Sequence, residues 1–80
     1  MAQNKDQVEY LTPTEIAYIL RQRTGKKWTP VSINQKLAEM GYQIKPFYEW
    51  QPTAKGIQFA NFSSRMLKWN REIIDLIEKL

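Results

Sequence analysis

The stretch Thr29-Pro30-Val31-Ser32-Ile33-Asn34-Gln35-Lys36-Leu37-Ala38-Glu39-Met40-Gly41 reads as a complete helix with both ends marked. Thr29 suits the N-cap, where a hydroxyl accepts from a free backbone N–H. Pro30 follows at the first helical position, where its missing N–H is not needed. Ile33, Leu37 and Met40 fall on one face at helical spacing and form the buried stripe. Gly41 fits the left-handed position that ends a helix. Ser32, Gln35, Lys36 and Glu39 are left on the outer face.

The same start signal stands upstream, in Leu11-Thr12-Pro13-Thr14-Glu15. Here Thr12 is the cap, Pro13 takes the first position, and Glu15 completes a capping box. Leu11 can staple onto Ile16. Ile16, Ile19 and Leu20 share a face with the stem of Arg23, and Thr24-Gly25 closes the helix. Arg21 and Arg23 sit near its negative end. Downstream, Tyr42-Gln43-Ile44 alternates as a short strand that Pro46 stops. Tyr48-Glu49-Trp50-Gln51 is expected to be its hairpin partner, stopped by Pro52. Thr53-Ala54-Lys55-Gly56 reads as a capped turn leading to Ile57, Phe59 and Ala60. Asn61-Phe62-Ser63-Ser64 reads as a loop and Met66-Leu67-Lys68-Trp69 as a third strand. Asn70 caps a final helix over residues 71–80, with Ile73, Ile74, Leu76, Ile77 and Leu80 apolar. Glu72 and Asp75 near its start complement the dipole.

This order predicts an α+β domain: a winged helix-turn-helix with a small antiparallel β-hairpin or sheet and a C-terminal helix. Residues 1–10 are expected to be a flexible tail and residues 11–80 the domain. Eighty residues make one domain at most. No repeat, low-complexity tract or linker divides the chain.

Composition narrows the chemistry. The sequence holds no Cys and no His. Disulfides and thiolate metal sites are excluded, and the commonest general base and metal ligand are missing. The carboxylates are spread singly, without a catalytic pair. A binding protein without a cofactor is expected, not an enzyme. The opening Met1-Ala2-Gln3-Asn4-Lys5-Asp6-Gln7 is polar and lacks the apolar core of a signal peptide. No run approaches the roughly 20 apolar residues of a membrane span. A cytoplasmic location is expected.

The net charge is +4. Residues 21–68 hold nine Lys or Arg against Glu39 and Glu49, a local net of +7, between mildly acidic ends. Such a stretch fits a polyanion partner, and it equally fits a solvated basic surface.

Several segments together resemble the winged-helix modules of phage antirepressor and phage regulatory proteins. Ile33-Asn34-Gln35-Lys36-Leu37-Ala38-Glu39-Met40-Gly41 is similar to their recognition-helix run, apolar-Asn-x-x-Leu-x-x-apolar-Gly. Trp50-Gln51-Pro52-Thr53-Ala54-Lys55-Gly56 resembles their Trp-x-x-Thr-x-Lys-Gly turn. Leu67-Lys68-Trp69-Asn70 with the apolar helix after it resembles their closing strand and helix. Leu11-Thr12-Pro13-Thr14-Glu15-Ile16-Ala17 resembles their opening helix. The resemblance runs in order over residues 11–80. The family usually has a short Gly-containing turn where residues 21–29 are longer and strongly basic. The resemblance implies duplex-DNA binding in transcriptional or phage-type regulation. The family also uses such modules to contact other proteins, so an interaction module is the alternative. Its partner or homodimer seam would be the basic face or the C-terminal helix.

For DNA, the candidate residues are Arg21, Arg23, Lys26, Lys27, Thr29, Ser32, Gln35, Lys36, Lys45 and Lys55. Ser32, Gln35 and Lys36 project together and offer hydrogen bonds to base edges, Gln being able to pair with adenine. They are equally the composition of a solvated helix face. Arg21, Arg23, Lys26 and Lys27 suit phosphates, which position a protein without reading sequence. Thr29 and the free N–H groups beside it add an anion site. Lys45 and Lys55 flank the expected wing, although Lys55 reads equally well as a turn residue. The aromatic residues Trp28, Phe47, Tyr48, Trp50, Phe59, Phe62 and Trp69 are expected in the core, with base stacking by Phe47 or Tyr48 as the alternative.

Overall fold

The computed structural model describes residues 9–63 and 66–79. The chain runs strand β1 (Tyr10–Leu11), helix α1 (Pro13–Thr24), helix α2 (Pro30–Glu39), strands β2 (Gln43–Ile44) and β3 (Gln51–Pro52), a 3₁₀ turn (Ile57–Phe59), strands β4 (Ala60–Ser63) and β5 (Met66–Asn70), and helix α3 (Glu72–Glu78). It is a small α+β domain with three helices and two small antiparallel sheets.

Both predicted caps form. Thr12 accepts from the Glu15 N–H while Glu15 returns to the Thr12 N–H at 2.8 Å. Thr29 and Ser32 repeat the exchange at α2. Each cap is worth about 1 kcal/mol. Gly25 (φ 75°) ends α1 and Gly41 (φ 86°) follows α2, both left-handed as the sequence requires. The Asn70 side chain accepts from the Glu72 N–H at 2.9 Å and starts α3 one residue later than expected.

One core joins the three helices to the larger sheet. Leu11, Ile16, Ala17, Leu20, Ile33, Leu37, Tyr42, Trp69, Ile73, Ile74 and Ile77 are buried together. Burying each large aliphatic side chain contributes about 1.5–3 kcal/mol. Trp69 is fully enclosed near the end of β5, opposite Leu11 on one side and Ala60 on the other.

The strands depart from expectation in three places. The larger sheet has the order β1-β5-β4. Tyr10, placed in the tail by sequence, is already paired with Asn70. Arg71 extends that pairing, with its N–H on the Glu9 carbonyl at 3.0 Å and its guanidinium on the Glu9 carboxylate at 2.9 Å. Residues 1–8 of the expected tail lie outside the described residues. Asn61-Phe62-Ser63, expected as a loop, belongs to edge strand β4. Its pairing with β5, over Ala60–Trp69 to Ser63–Met66, makes it a strand where the local composition does not. In the smaller sheet Gln43 pairs with Pro52 and Ile44 with Gln51. Pro52 therefore lies inside β3 instead of stopping it, since a strand edge without a partner needs no N–H. Residues 45–50 form the connecting loop.

Gly56 is required for space, not for a positive φ. A Cβ there would lie 1.9 Å from the Tyr42 carbonyl oxygen. Around Gly25 nothing lies within 4 Å of an added Cβ, so only its left-handed φ resists substitution. Gly56→Ala should lower the unfolding free energy by about 3 kcal/mol, as overpacking does. Gly25→Ala should lower it by only about 1 kcal/mol. Urea unfolding of the two variants checks the ranking, and equal losses would contradict the close approach.

Candidate nucleic-acid interface

The link between α1 and α2 is basic but not loose. The Gly25 N–H returns to the Arg21 carbonyl at 3.0 Å, and the Lys26 N–H donates to the Thr24 hydroxyl at 3.2 Å. The Trp28 N–H donates to the Lys26 carbonyl at 3.0 Å. Trp28 is half-buried against the core. Arg21 spans the link from α1 and donates to the Trp28 carbonyl at 2.8 Å. Its guanidinium also lies 6.0 Å from the centre of the Tyr18 ring. Arg21 thus fixes the turn, although its side chain stays exposed.

These contacts leave Lys26 and Lys27 exposed, with no ion pair among the described residues. They stand directly before the start of α2. The outermost stripe of that helix is Val31 and Gln35, four residues apart and both exposed. Gln35 therefore keeps its donors and acceptor available.

Several candidate residues are occupied by the protein itself. Arg23 binds Asp75 at 2.9 Å and Glu78 at 3.0 Å, joining α1 to α3. Side-chain hydrogen bonds to Asp75 and then Glu78 raise its pKa above the ordinary arginine value. Its stem leaves the apolar face of α1 to reach those carboxylates. Thr29 and Ser32 do not offer their hydroxyls to a ligand. The Ser32 hydroxyl accepts from the Thr29 N–H at 2.8 Å and donates to the Thr29 carbonyl at 2.9 Å, while Thr29 caps the Ser32 N–H. The Ser32 N–H goes to the Thr29 hydroxyl and the Ile33 N–H to the Thr29 carbonyl, and Pro30 has none, so the Val31 N–H is what the first turn leaves for an anion. Lys36 pairs with Glu39 at 3.3 Å. An exposed pair of this kind contributes at most about 1 kcal/mol and exchanges readily for phosphate.

Of the two readings of Lys55, wing cation and turn residue, its contacts fit the turn residue. Its ammonium donates to the Met40 carbonyl at 3.0 Å and lies 5.0 Å from the centre of the Tyr42 ring. It caps the negative end of α2 instead of extending from a wing. Lys45 lies 5.2 Å from the centre of the Trp50 ring and closes the base of the 45–50 loop.

Asn34, Gly41 and Thr53, three of the motif residues behind the family resemblance, are tied into the fold. The Gln43 amide, buried on β2, donates to the Asn34 carbonyl at 2.9 Å and to its side-chain oxygen at 3.1 Å. Asn34 therefore ties α2 to the smaller sheet. Thr53 donates its hydroxyl to the Gly41 carbonyl at 2.6 Å and its N–H to the Tyr42 carbonyl at 3.0 Å.

Two aromatic residues are misplaced by the sequence reading. Phe47 and Tyr48 are 83% and 91% exposed at the tip of the 45–50 loop. Pro46 and the Lys45–Trp50 contact hold the ends of that loop, and its few residues cannot fold back over the core. Trp28 and Phe59 do pack against the core, and Trp50 is half-buried. The side chain of Phe62 lies outside the described residues. On α3, Ile73, Ile74 and Ile77 are buried in the chain's own core and Leu76 is half-buried against it, so these four side chains offer little apolar surface to a dimer seam. Leu80 lies outside the described residues. Among the described residues no group of three or more carboxylates could hold a metal ion, and no helix is long and apolar enough to cross a membrane.

No family model, curated protein or solved structure matches the chain.

The two kinds of lysine should separate by measurement. Lys55→Met should lower the unfolding free energy by about 1 kcal/mol through loss of the cap on α2. Lys26→Ala and Lys27→Ala should each stay within about 0.5 kcal/mol of the parent. A Lys55→Met variant as stable as the parent in urea would return Lys55 to the set of available cations.

Proposed function

We propose that the chain is a winged helix-turn-helix domain that binds duplex DNA as a transcriptional or phage-type regulator. One observation carries this reading. Lys26 and Lys27 stand exposed at the entry to α2 and have no ion pair among the described residues, the outer stripe of α2 bears an exposed Gln35, and Arg23, Lys55 and Arg71 are held by the chain's own oxygens. Cations left over at a helix entry suit phosphate, and an exposed amide on the same helix suits a base edge. Two helices backed by antiparallel hairpins support the winged layout. The β4–β5 hairpin, built on the core through Trp69, is the better candidate for a rigid wing than the short β2–β3 pair.

In this reading Lys26 and Lys27 position the domain on the backbone, with Lys36 joining once phosphate replaces Glu39. Gln35 contributes preference at one base pair. Arg21 acts indirectly, by holding the turn that aims the two lysines.

Binding to a blunt random duplex should weaken linearly in log–log form as salt rises. Each phosphate contact contributes about 0.9 to the slope, so the double variant Lys26→Glu, Lys27→Glu should be shallower by about 1.8. Gln35→Ala should keep the slope and flatten the preference among duplex sequences. Absence of measurable duplex binding at low salt would sink the proposal.

A further inference from the structure

The tip of the β2–β3 hairpin has features that duplex contact through α2 does not use. Phe47 and Tyr48 are adjacent and almost fully exposed. Together with Glu49 and Gln51 they line a recess of about 220 Å³. That is below the roughly 300–1,000 Å³ of pockets for drug-sized ligands, and it suits a single flat ring system. Aromatic faces beside one carboxylate and one amide make a mixed surface, apolar across the ring and polar at its edge.

We propose that this recess binds one unpaired nucleobase, and that it prefers bases carrying an exocyclic amino group. Phe47 and Tyr48 supply the stacking surface. Glu49 accepts from the amino group, as a carboxylate does from cytosine N4. Gln51 adds a donor and an acceptor at the same edge. This assignment gives Glu49 a role that phosphate contact would deny it, since a carboxylate repels the backbone. It also fits the small size of the tip. A stable protein interface buries about 800 Å² per partner, far more than these four residues present. One stacked base needs no more than the tip.

The loop is prepared for such a ligand. Lys45 over Trp50 closes its base. Gln43, bonded to Asn34, fixes its first strand to α2, and Thr53, bonded to Gly41 and Tyr42, fixes the residue after its second strand. The recess therefore keeps a set position relative to α2. A duplex held by Lys26 and Lys27 with a frayed end, a bulge or an extruded base would engage both surfaces. In that sense the inference rests on the proposed nucleic-acid function, although the recess can be tested without a duplex.

The test uses the full chain and three probes: oligo(dC) and oligo(dT) single strands of equal length, and a blunt duplex. Oligo(dC) should bind at least severalfold more tightly than oligo(dT), because thymine has no exocyclic amino group. Phe47→Ala and Tyr48→Ala should each weaken oligo(dC) binding about tenfold and leave blunt-duplex binding unchanged. Both side chains are exposed, so the variants should unfold at the parental urea midpoint. Glu49→Gln should remove the preference for oligo(dC) and leave oligo(dT) binding as it was. Oligo(dC) binding indifferent to Phe47 and Tyr48, with intact duplex binding, would overturn the recess and spare the duplex reading. Tyr48-dependent oligo(dC) binding without duplex binding would do the reverse. Failure to bind any of the three probes would overturn both. Equal affinity for oligo(dC) and oligo(dT) would overturn the base preference.

Discussion

The turn at residues 53–56 closes onto the end of α2 through three consecutive carbonyls. Lys55 donates to Met40, the Thr53 hydroxyl to Gly41, and the Thr53 N–H to Tyr42. A helix end leaves carbonyls that must find partners, and here one turn distant in sequence supplies them. The approach is so close that Gly56 leaves no room for a Cβ against Tyr42. Tyr42 in turn belongs to the core and meets Phe59 edge-on at 5.5 Å between ring centres. If this contact opened, the end of α2, the smaller sheet and the path into β4 would lose their common reference. The helix face and the hairpin tip that carry the proposed functions depend on it for their relative placement.

Charge is sorted by the same packing. The central stretch is strongly basic in sequence, but its cations are not equivalent in space. Arg23 is turned toward α3, where Asp75 and Glu78 hold it. Lys55 is turned toward a helix end, and Lys45 toward an aromatic face. These contacts draw charge away from the surface a ligand would meet, while Lys26 and Lys27 have no ion pair among the described residues. The long link before α2 is therefore a presented element. Its backbone is fixed by Arg21 and Trp28, and its two ammonium groups are exposed.

How much was legible follows from the range of each interaction. The caps at Thr12 and Thr29 are readable because each acts within four residues, whereas the return bond from Ser32, a residue that reads as a base contact, is not. The Gly25 and Gly41 stops were readable for the same reason. Most of the core followed from helical spacing. Strands β1 and β4 were not readable, because Tyr10 is paired with Asn70 across most of the chain and β4 has an ordinary polar edge composition. Arg23 finds its partners 52 and 55 residues away, so its loss from the candidate site had no local signal. Lys55 reads equally as turn or wing, and only its meeting with Met40 decides it. For Phe47 and Tyr48, residue type favours the core and leaves an exposed stacking position as the alternative. Their neighbours Pro46 and Glu49 were the available signal for an exposed tip.

The smaller sheet shows how a very short element obtains a unique register. It has two paired positions, too few for pattern alone to hold alignment, and a slip of one residue would turn each side chain to the other face. Gln43 removes that freedom. Its amide is buried and bonds twice to Asn34, so only one alignment satisfies it. The arrangement is not free, because the Gln43 side-chain oxygen is buried with no hydrogen-bond partner among the described residues. An unsatisfied buried acceptor costs about 1–3 kcal/mol. An apolar residue at position 43 would avoid that cost and lose the choice of register. The hairpin retains the polar residue, and with it a loop tip whose position is set by α2. Pre-set placement of this kind reduces the ordering cost of binding, which is what two weak surfaces need if they are to act on one nucleic acid together.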